Sequence, residues 1–590
     1  MKRMVFAMFF LLVCSGTGFA QLSKISEPYE ELSDSKPHDG ATVWNRQATS
    51  QLSWGSTDVR YAKLNVPDVQ KASHIQATAW KGERVNLQAV LWTTVDLLDV
   101  TVIAENLKCS ASLIPAEAIK THFVRYVMTD ELNKDGAGGC GHRPDKTAWD
   151  SSLVADVLDT ADKMPIKAHT TQAIWVNIWI PSDVQAGKYM GRLTVSGKNL
   201  SPMTLNVELD VLNRTLPLPG DWQFHLDLWQ HPYAVARYYQ VPLWSPEHFE
   251  AMRPIMKLLA DAGQKVITAT IMHKPWNGQT EDPFYSMVGK TKKIDGTWTY
   301  DYTVFDRWVE FMHSVGIDRQ INCYTMIPWA LHFDYIDQAT NRVEYVDAVP
   351  GDTLYRQYWG SFLADFARHL KQKGWFDKTT IAMDERPLES MTEAIKLIRS
   401  VDADFKISLA GLYHPEIADE LYDLCIAFGH QYPPEIKAAR EKAGKISTVY
   451  TCCSEARPNT FTFSPPAEAA WIGWHVMAGN YDGYLRWSYN SWTVDPLRDS
   501  RFRTWAAGDC YLVYPDVYPG VRSSIRMERL IEGIQDYEKC RILRAEFTQK
   551  GEEANLKRLN NLIATFTIDE LTAQGAGRMV EHARQVLNGF

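Results

Sequence analysis

Two adjacent carboxylates, Asp384 and Glu385, stand in the segment from Ile381 to Ser390. The apolar run Thr380 to Met383 reads as a buried strand, and the pair follows at its C-terminal end. Side chains alternate along a regular strand, so neighbours face opposite ways. Both carboxylates can reach one pocket only where the strand has already broken, and Pro387 supplies a break. Carboxylates so close resist double ionisation, which suits one proton-holding acid beside one charged partner. The competing use is structural: a salt bridge to Arg386 or a helix cap. The elements around the pair decide between them.

From about residue 221 the chain alternates strand and helix. Strands are expected at Gln223–Trp229, Lys265–Met272, Gln320–Met326, Thr379–Met383, Lys406–Leu412, Leu424–Phe428, Ser447–Thr451 and Gly483–Ser488. Helices are expected between them, as at Ser245–Gly263 and Asp352–Gly374, the second carrying apolar residues at helical spacing and closing on a glycine. Such a series predicts a (β/α)8 barrel over 221–522, in which chemistry sits where the strands end. Polar and aromatic residues collect at those ends: Trp229 and His231; His273 and Trp276; Trp329; Tyr413; His430 and Tyr432; Glu455; and Trp487, Tyr489 and Trp492. A flat ring covers the C–H face of a sugar while its polar edge meets hydroxyls. An aromatic-rimmed carboxylate pair therefore reads as glycoside chemistry.

Two mechanisms fit these residues. In one, Glu385 is the acid and a carboxylate across the barrel, Glu455, is the nucleophile. In the other, the substrate's own 2-acetamido oxygen attacks the anomeric carbon. Asp384 then steadies the acetamido N–H, and Glu385 protonates the leaving oxygen and later activates water. A non-catalytic glycan-binding protein is the third reading. None of them calls for a metal or organic cofactor, because water is the only second reactant.

The rest of the chain frames this site. Its 590 residues exceed one core, and residues 21–215 read as an N-terminal β-sandwich, with alternating or β-branched runs such as Val85–Thr94, Ala173–Pro181 and Met203–Leu212. Leu216 to Gly220 is a Pro-rich linker, and 523–590 reads as a charged helical segment packed on the barrel. With 62 Lys and Arg against 71 Asp and Glu, the chain lacks the basic excess of a nucleic-acid binder. Residues 1–20 form a secretory signal: Lys2 and Arg3, the apolar run Met4–Val13, and cleavage after Ala20. No later run is long enough to insert in a membrane, so an exported protein, periplasmic or extracellular, is expected. In that setting Cys109 and Cys140 are candidates to pair, whereas the adjacent Cys452 and Cys453 are poorly placed to bridge each other. Arg522 and Arg526 are read as structural ion-pair residues, and Arg486 as turned away from the barrel interior or paired within it.

Four segments carry a resemblance: Leu226–Phe249, Ile381–Met391, Gly483–Asp499 and Gly508–Glu538. Together they resemble glycoside hydrolase family 123, over most of the mature chain. The resemblance implies an N-terminal β-sandwich, a (β/α)8 barrel, and exo-acting β-N-acetylgalactosaminidase activity by a retaining, substrate-assisted mechanism. It places the catalytic pair on Asp384 and Glu385. It alone supplies the galacto configuration, and hence a β-GalNAc-terminated glycan as the partner.

Overall fold

The computed structural model describes residues 30–590 apart from 111, 133–138, 144, 146 and 148, so the expected signal segment lies outside the described residues. The N-terminal part is a sandwich of two sheets. One has five antiparallel strands, in the order Ser50–Gly55, Arg84–Thr93, Thr170–Trp179, Ile119–Thr129 and Ser152–Leu158. The other is built on the long antiparallel pair Gly187–Lys198 and Leu200–Thr215. Alternation explains the layering. Along Arg84–Thr93, Leu87, Ala89 and Leu91 meet Leu193, Leu205 and Leu209 of the facing sheet. Val90 and Trp92 point the other way, into a second cluster with Tyr126, Trp175 and Ile525. The strand is buried on both faces along most of its length, and its buried polar residues are bonded, Asn86 to Glu532 at 2.7 Å.

The barrel strands are β1 (His225–Leu228), β2 (Val266–Thr270), β3 (Gln320–Tyr324), β4 (Thr379–Met383), β5 (Lys406–Gly411), β6 (Asp423–Ala427), β7 (Ile446–Tyr450) and β8 (Gly483–Arg486). All are parallel, in the sheet order β1-β8-β7-β6-β5-β4-β3-β2. Each lies on an expected run, within a residue or two at most ends. The seam between β1 and β2 is stitched largely by side-chain amides. Gln264 accepts from Leu228 N at 3.0 Å, and Gln230 accepts from Thr268 N at 2.9 Å. One backbone bond, Lys265 N to Leu226 O, completes the closure at 3.0 Å.

Helices connect and follow the strands, among them α1 (Pro246–Ala260), α2 (Thr303–Val315), α3 (Thr353–Lys373), α4 (Leu388–Val401), α5 (Pro434–Lys442), α6 (Pro466–Ala478) and α7 (Ile525–Lys550), with shorter ones at Glu553–Ile563, Ile568–Gln574 and Ala576–Leu587 after it. Ser245 caps α1, its hydroxyl accepting from His248 N. Gly374 ends α3 at φ +69°, where a side chain would be strained. Only a short turn, Ala418–Glu420, joins β5 to β6, so the regular alternation lapses there. A small sheet of Gly289–Lys292, Trp298–Asp301, His332–Asp337 and Arg342–Asp347 grows from the segments after β2 and β3. Its strands are short and half exposed, and the sequence pattern did not announce them.

α7 lies between barrel and sandwich. Its Glu538 accepts from Gln223 N and Phe224 N at the entry to β1, at 2.7 and 2.8 Å. Its Glu528 accepts from Arg84 and Asn177 of the sandwich at 2.7 and 3.0 Å, and Glu532 from Asn86 at 2.7 Å. Arg526, buried, donates to Asp156 at 2.9 Å, and Arg522 to Asp159 at 3.1 Å, so both sit in structural ion pairs. The expected start of the C-terminal segment, residue 523, falls just before this helix. α7 crosses α6 at closest range through glycine: a Cβ on Gly533 would stand 2.4 Å from Ala470 O, and one on Gly473 2.1 Å from Gly533 O. An added methyl has no room there unless one helix shifts off the other. Gly533→Ala should therefore lower the melting temperature by the equivalent of at least about 2 kcal/mol, the scale of overpacking in a close-packed core. A melting curve that coincides with wild type would show that the crossing is not tight.

Candidate active site

The barrel strand β4 stops at Met383, and the chain bends at Glu385 before Pro387 precedes α4. The break lets both carboxylates line one cavity of about 650 Å³ at the C-terminal ends of the strands. They are held differently. Asp384 is buried, and its Oδ2 accepts two indole N–H groups, from Trp276 at 3.1 Å and Trp329 at 2.9 Å. No donor among the described residues reaches its Oδ1. Burial pushes the Asp384 carboxyl up to about 6; the Trp329 bond and the Arg386 charge oppose that shift, and Glu385 adds to it. Glu385 is exposed at the mouth, and its Oε1 accepts from the phenol of Tyr450, the last residue of β7. Asp384 is thus drawn toward the segments after β2 and β3, and Glu385 toward β7.

Trp229 lies beneath, with its ring centroid 4.4 Å from Tyr324 and 5.1 Å from Trp276. This aromatic cluster excludes water from one side of Asp384, which is why its charge is penalised. On the opposite wall Trp487 donates to Asp509 at 3.2 Å, and the fully buried Arg486 pairs with the same carboxylate at 2.5 Å. Arg486 therefore pairs inside the structure, one of the two outcomes expected of it. Glu455 lines the cavity as well, with one oxygen accepting from Cys452 N at 2.7 Å.

Of the eleven aromatic and histidine residues expected to bind substrate, Trp229, Trp276, Trp329, His430 and Trp487 line the cavity. The other six lie elsewhere. His231 caps the helix Pro232–Tyr239: its Nδ1 accepts from Ala234 N at 3.2 Å and its Nε2 donates to Asp282 O at 3.0 Å. Burial drives its pKa down to about 3, so it stays neutral. His273 leans on Tyr285, 5.2 Å between rings. Tyr432 is buried with its phenol donating to Thr448 O at 3.3 Å, and Tyr413 packs 6.3 Å from it. Tyr489 donates to Ile255 O at 2.9 Å and Trp492 to Val513 O at 2.8 Å, both fully buried. For His231, Tyr432, Tyr489 and Trp492 the reason is that the segments beyond the strand ends fold back into the core; His273 and Tyr413 stay half-buried beside other rings, away from the cavity.

Three contributors were not expected. Tyr450 and Asp509 are two, and the only sequence signal for Tyr450 was its place as the last residue of β7. The third is the sandwich itself. Cys140 is bonded to Cys453, not to Cys109, which is free, and both bonded cysteines line the cavity. The expected Cys109–Cys140 pair fails because the segment around Cys140 leaves the sheet and docks on the barrel top. There Met128 N donates to Arg498 O at 2.9 Å and Gly141 N to Thr504 O at 3.1 Å. Among the described residues no cluster of three or more His, Cys, Asp or Glu is placed to hold a metal, and no helix is long and apolar enough to cross a membrane.

A parallel barrel with a carboxylate pair in an aromatic cavity at its C-terminal face defines a glycoside hydrolase architecture. Models of protein families specify it further. The catalytic-domain model of glycoside hydrolase 123 matches residues 229–543, and the N-terminal-domain model of the same family matches 54–197. The chain belongs to glycoside hydrolase family 123. Among solved structures it is similar to a family 123 glycoside hydrolase from Clostridium perfringens, studied for glycolipid glycan hydrolysis. The two are 28% identical with a TM-score of 0.82, over 92% of this chain and 99% of that one. A GH5 xyloglucanase from Bacteroides ovatus aligns at 8% identity over 82% of this chain and 100% of that one, and its TM-score of 0.28 carries no argument. No curated protein matches.

The geometry predicts a pH effect. A carboxylate raised to about 6 loses its charge as pH falls through that value, so hydrolysis that needs ionised Asp384 should decline below about pH 6. Trp329→Phe removes a donor that favours the charged form. The acid limb of the kcat/KM profile should then move up by roughly 1–2 pH units, the worth of one hydrogen bond to a charged group. An acid limb that stays in place would assign it to another group.

Proposed function

We propose that this protein is an exo-acting, retaining β-N-acetylgalactosaminidase that uses its substrate's acetamido group as nucleophile. The observation that carries the reading is the division of labour within the adjacent pair. Asp384 is buried, gripped by Trp276 and Trp329, while Glu385 is exposed and turned toward Tyr450. Such a pair serves neighbouring atoms of one sugar. The acetamido oxygen attacks the anomeric carbon as the C–O bond to the leaving group breaks. Glu385 gives its proton to the departing oxygen. Asp384 accepts the acetamido N–H and offsets the positive charge that develops on the forming oxazolinium ring. Water then attacks the same carbon from the side the leaving group vacated, Glu385 takes its proton, and the acetamido group is restored.

The galacto configuration rests on the family resemblance. The glycolipid link of the Clostridium perfringens relative supports β-GalNAc-ended glycans, including those of glycolipids, as the substrate class. Export is proposed from the basic and apolar N-terminus, and a disulfide between Cys140 and Cys453 supports an oxidising compartment. The direct test compares chromogenic β-GalNAc with β-Gal. Release from the acetamido sugar alone supports the reading. Release from both favours a two-carboxylate enzyme, and release from neither a binding protein.

Variants separate the roles. Asp384→Asn should fold yet lose roughly 10² to 10⁴ in rate on acetamido substrates whatever the leaving group, the range for a positioned charge. A mild Asp384→Asn beside an inactive Glu455→Gln would instead make Glu455 the nucleophile.

Glu385→Gln should damage hydrolysis of poor leaving groups far more than of activated aryl glycosides, since a good leaving group needs little protonation. A uniform loss across leaving groups counts against Glu385 as the acid.

A further inference from the structure

The catalytic cavity has a neighbour. Gly429 and His430, just beyond β6, line both that cavity and a second groove of about 800 Å³. The groove lies on the outer side of the barrel, bordered by α5, the end of α6 and the segment around Phe566. Its direction from the site matters. Around the sheet, β3 and β2 follow β4 on one side and β5, β6 and β7 on the other. Asp384 is tied to the first side through Trp276 and Trp329, and Glu385 to the second through Tyr450. A sugar with its acetamido group at Asp384 and its glycosidic oxygen at Glu385 sends its leaving group toward β5–β7. The groove opens on that side.

The lining suits a carbohydrate. Ile568 gives a partly exposed apolar edge over the buried Phe566, and His430 stands exposed at the junction. Lys437 of α5 lines the groove with its stem largely buried, and Asp482 is its near electrostatic neighbour. An ammonium bordering the groove is a donor that sugar hydroxyls can meet. The volume falls within the usual range for small-ligand sites, roughly 300–1,000 Å³.

We propose that this groove binds the leaving-group sugars, so that the enzyme reads the residues next to the terminal β-GalNAc as well as the terminal sugar. The inference rests on the activity proposed above. Two variants test it away from the catalytic groups. Ala438 is exposed on α5 and faces the groove, so Ala438→Trp fills it without entering the core, and Lys437→Gln removes the ammonium. kcat/KM is measured on p-nitrophenyl β-GalNAc and on a β-GalNAc-ended tetrasaccharide. Each variant should stay within about twofold of wild type on the aryl glycoside, as surface changes do. On the tetrasaccharide it should lose about tenfold or more, mainly through KM, as expected when a binding contact is removed. A wild type active on both substrates, with variants unaffected or equally affected on the two, overturns the groove alone. So does a wild type active only on the aryl glycoside. A wild type inactive on both overturns the activity and this site with it.

Discussion

Asp384 is a carboxylate kept out of water, and much of the active-site architecture follows from that. A charge in such a place needs donors fixed in advance, because no solvent can rotate to meet it. Two indole N–H groups supply them, and an indole can aim its single donor only if its ring is packed. Trp276 is locked against Trp229, Tyr324 and Phe284, and Trp329 carries Arg386 at 4.7 Å over its face. The long segments after β2 and β3, which also build the small four-stranded sheet, deliver these rings to the pocket. The residual penalty remains visible as a carboxyl raised to about 6, which keeps Asp384 largely charged at neutral pH while leaving it sensitive to mild acid.

Glu385 is subject to the opposite constraint. The exposed bend after β4 places its carboxylate at the mouth of the cavity, open to solvent. One broken strand end thus separates two chemically identical groups into a buried and an open environment. The contact with Tyr450 fixes the direction of the open one, toward β7.

The sandwich is part of this design. Its first sheet is buried on its outer face against α7, through Arg84, Asn86 and Asn177 reaching Glu528 and Glu532. Its segment around Cys140 crosses to the barrel top and is bonded to Cys453 in the cavity wall. Buried charge at the domain interface makes the two parts poor independent units, since parting them would leave carboxylates and guanidinium groups unpaired. The wall that carries Glu455 and Cys452 is therefore held from both domains.

The sequence by itself determined the two-part architecture and the eight barrel strands, and it singled out the carboxylate pair that lines the cavity. Barrel strands are short runs buried at nearly every position, and that pattern is local, so β4 could be read to the residue and most others to within one or two at their ends. The pair was legible because a strand end followed by Pro387 is also a local fact. The tertiary structure decided which strand-end aromatics face the pocket. His231, Tyr489 and Trp492 have the right types and the right position along the chain, yet their polar atoms meet Asp282 O, Ile255 O and Val513 O in the core. Their orientation depends on how the segments beyond the strands fold back, and no periodicity governs those segments. Likewise Cys140 found Cys453, 313 positions away, and not Cys109, because docking of one domain on the other set the distance. Local pattern fixes where a strand begins and ends, whereas the side-chain environment at its end is a sum over contacts distant in sequence, which only the folded chain brings together.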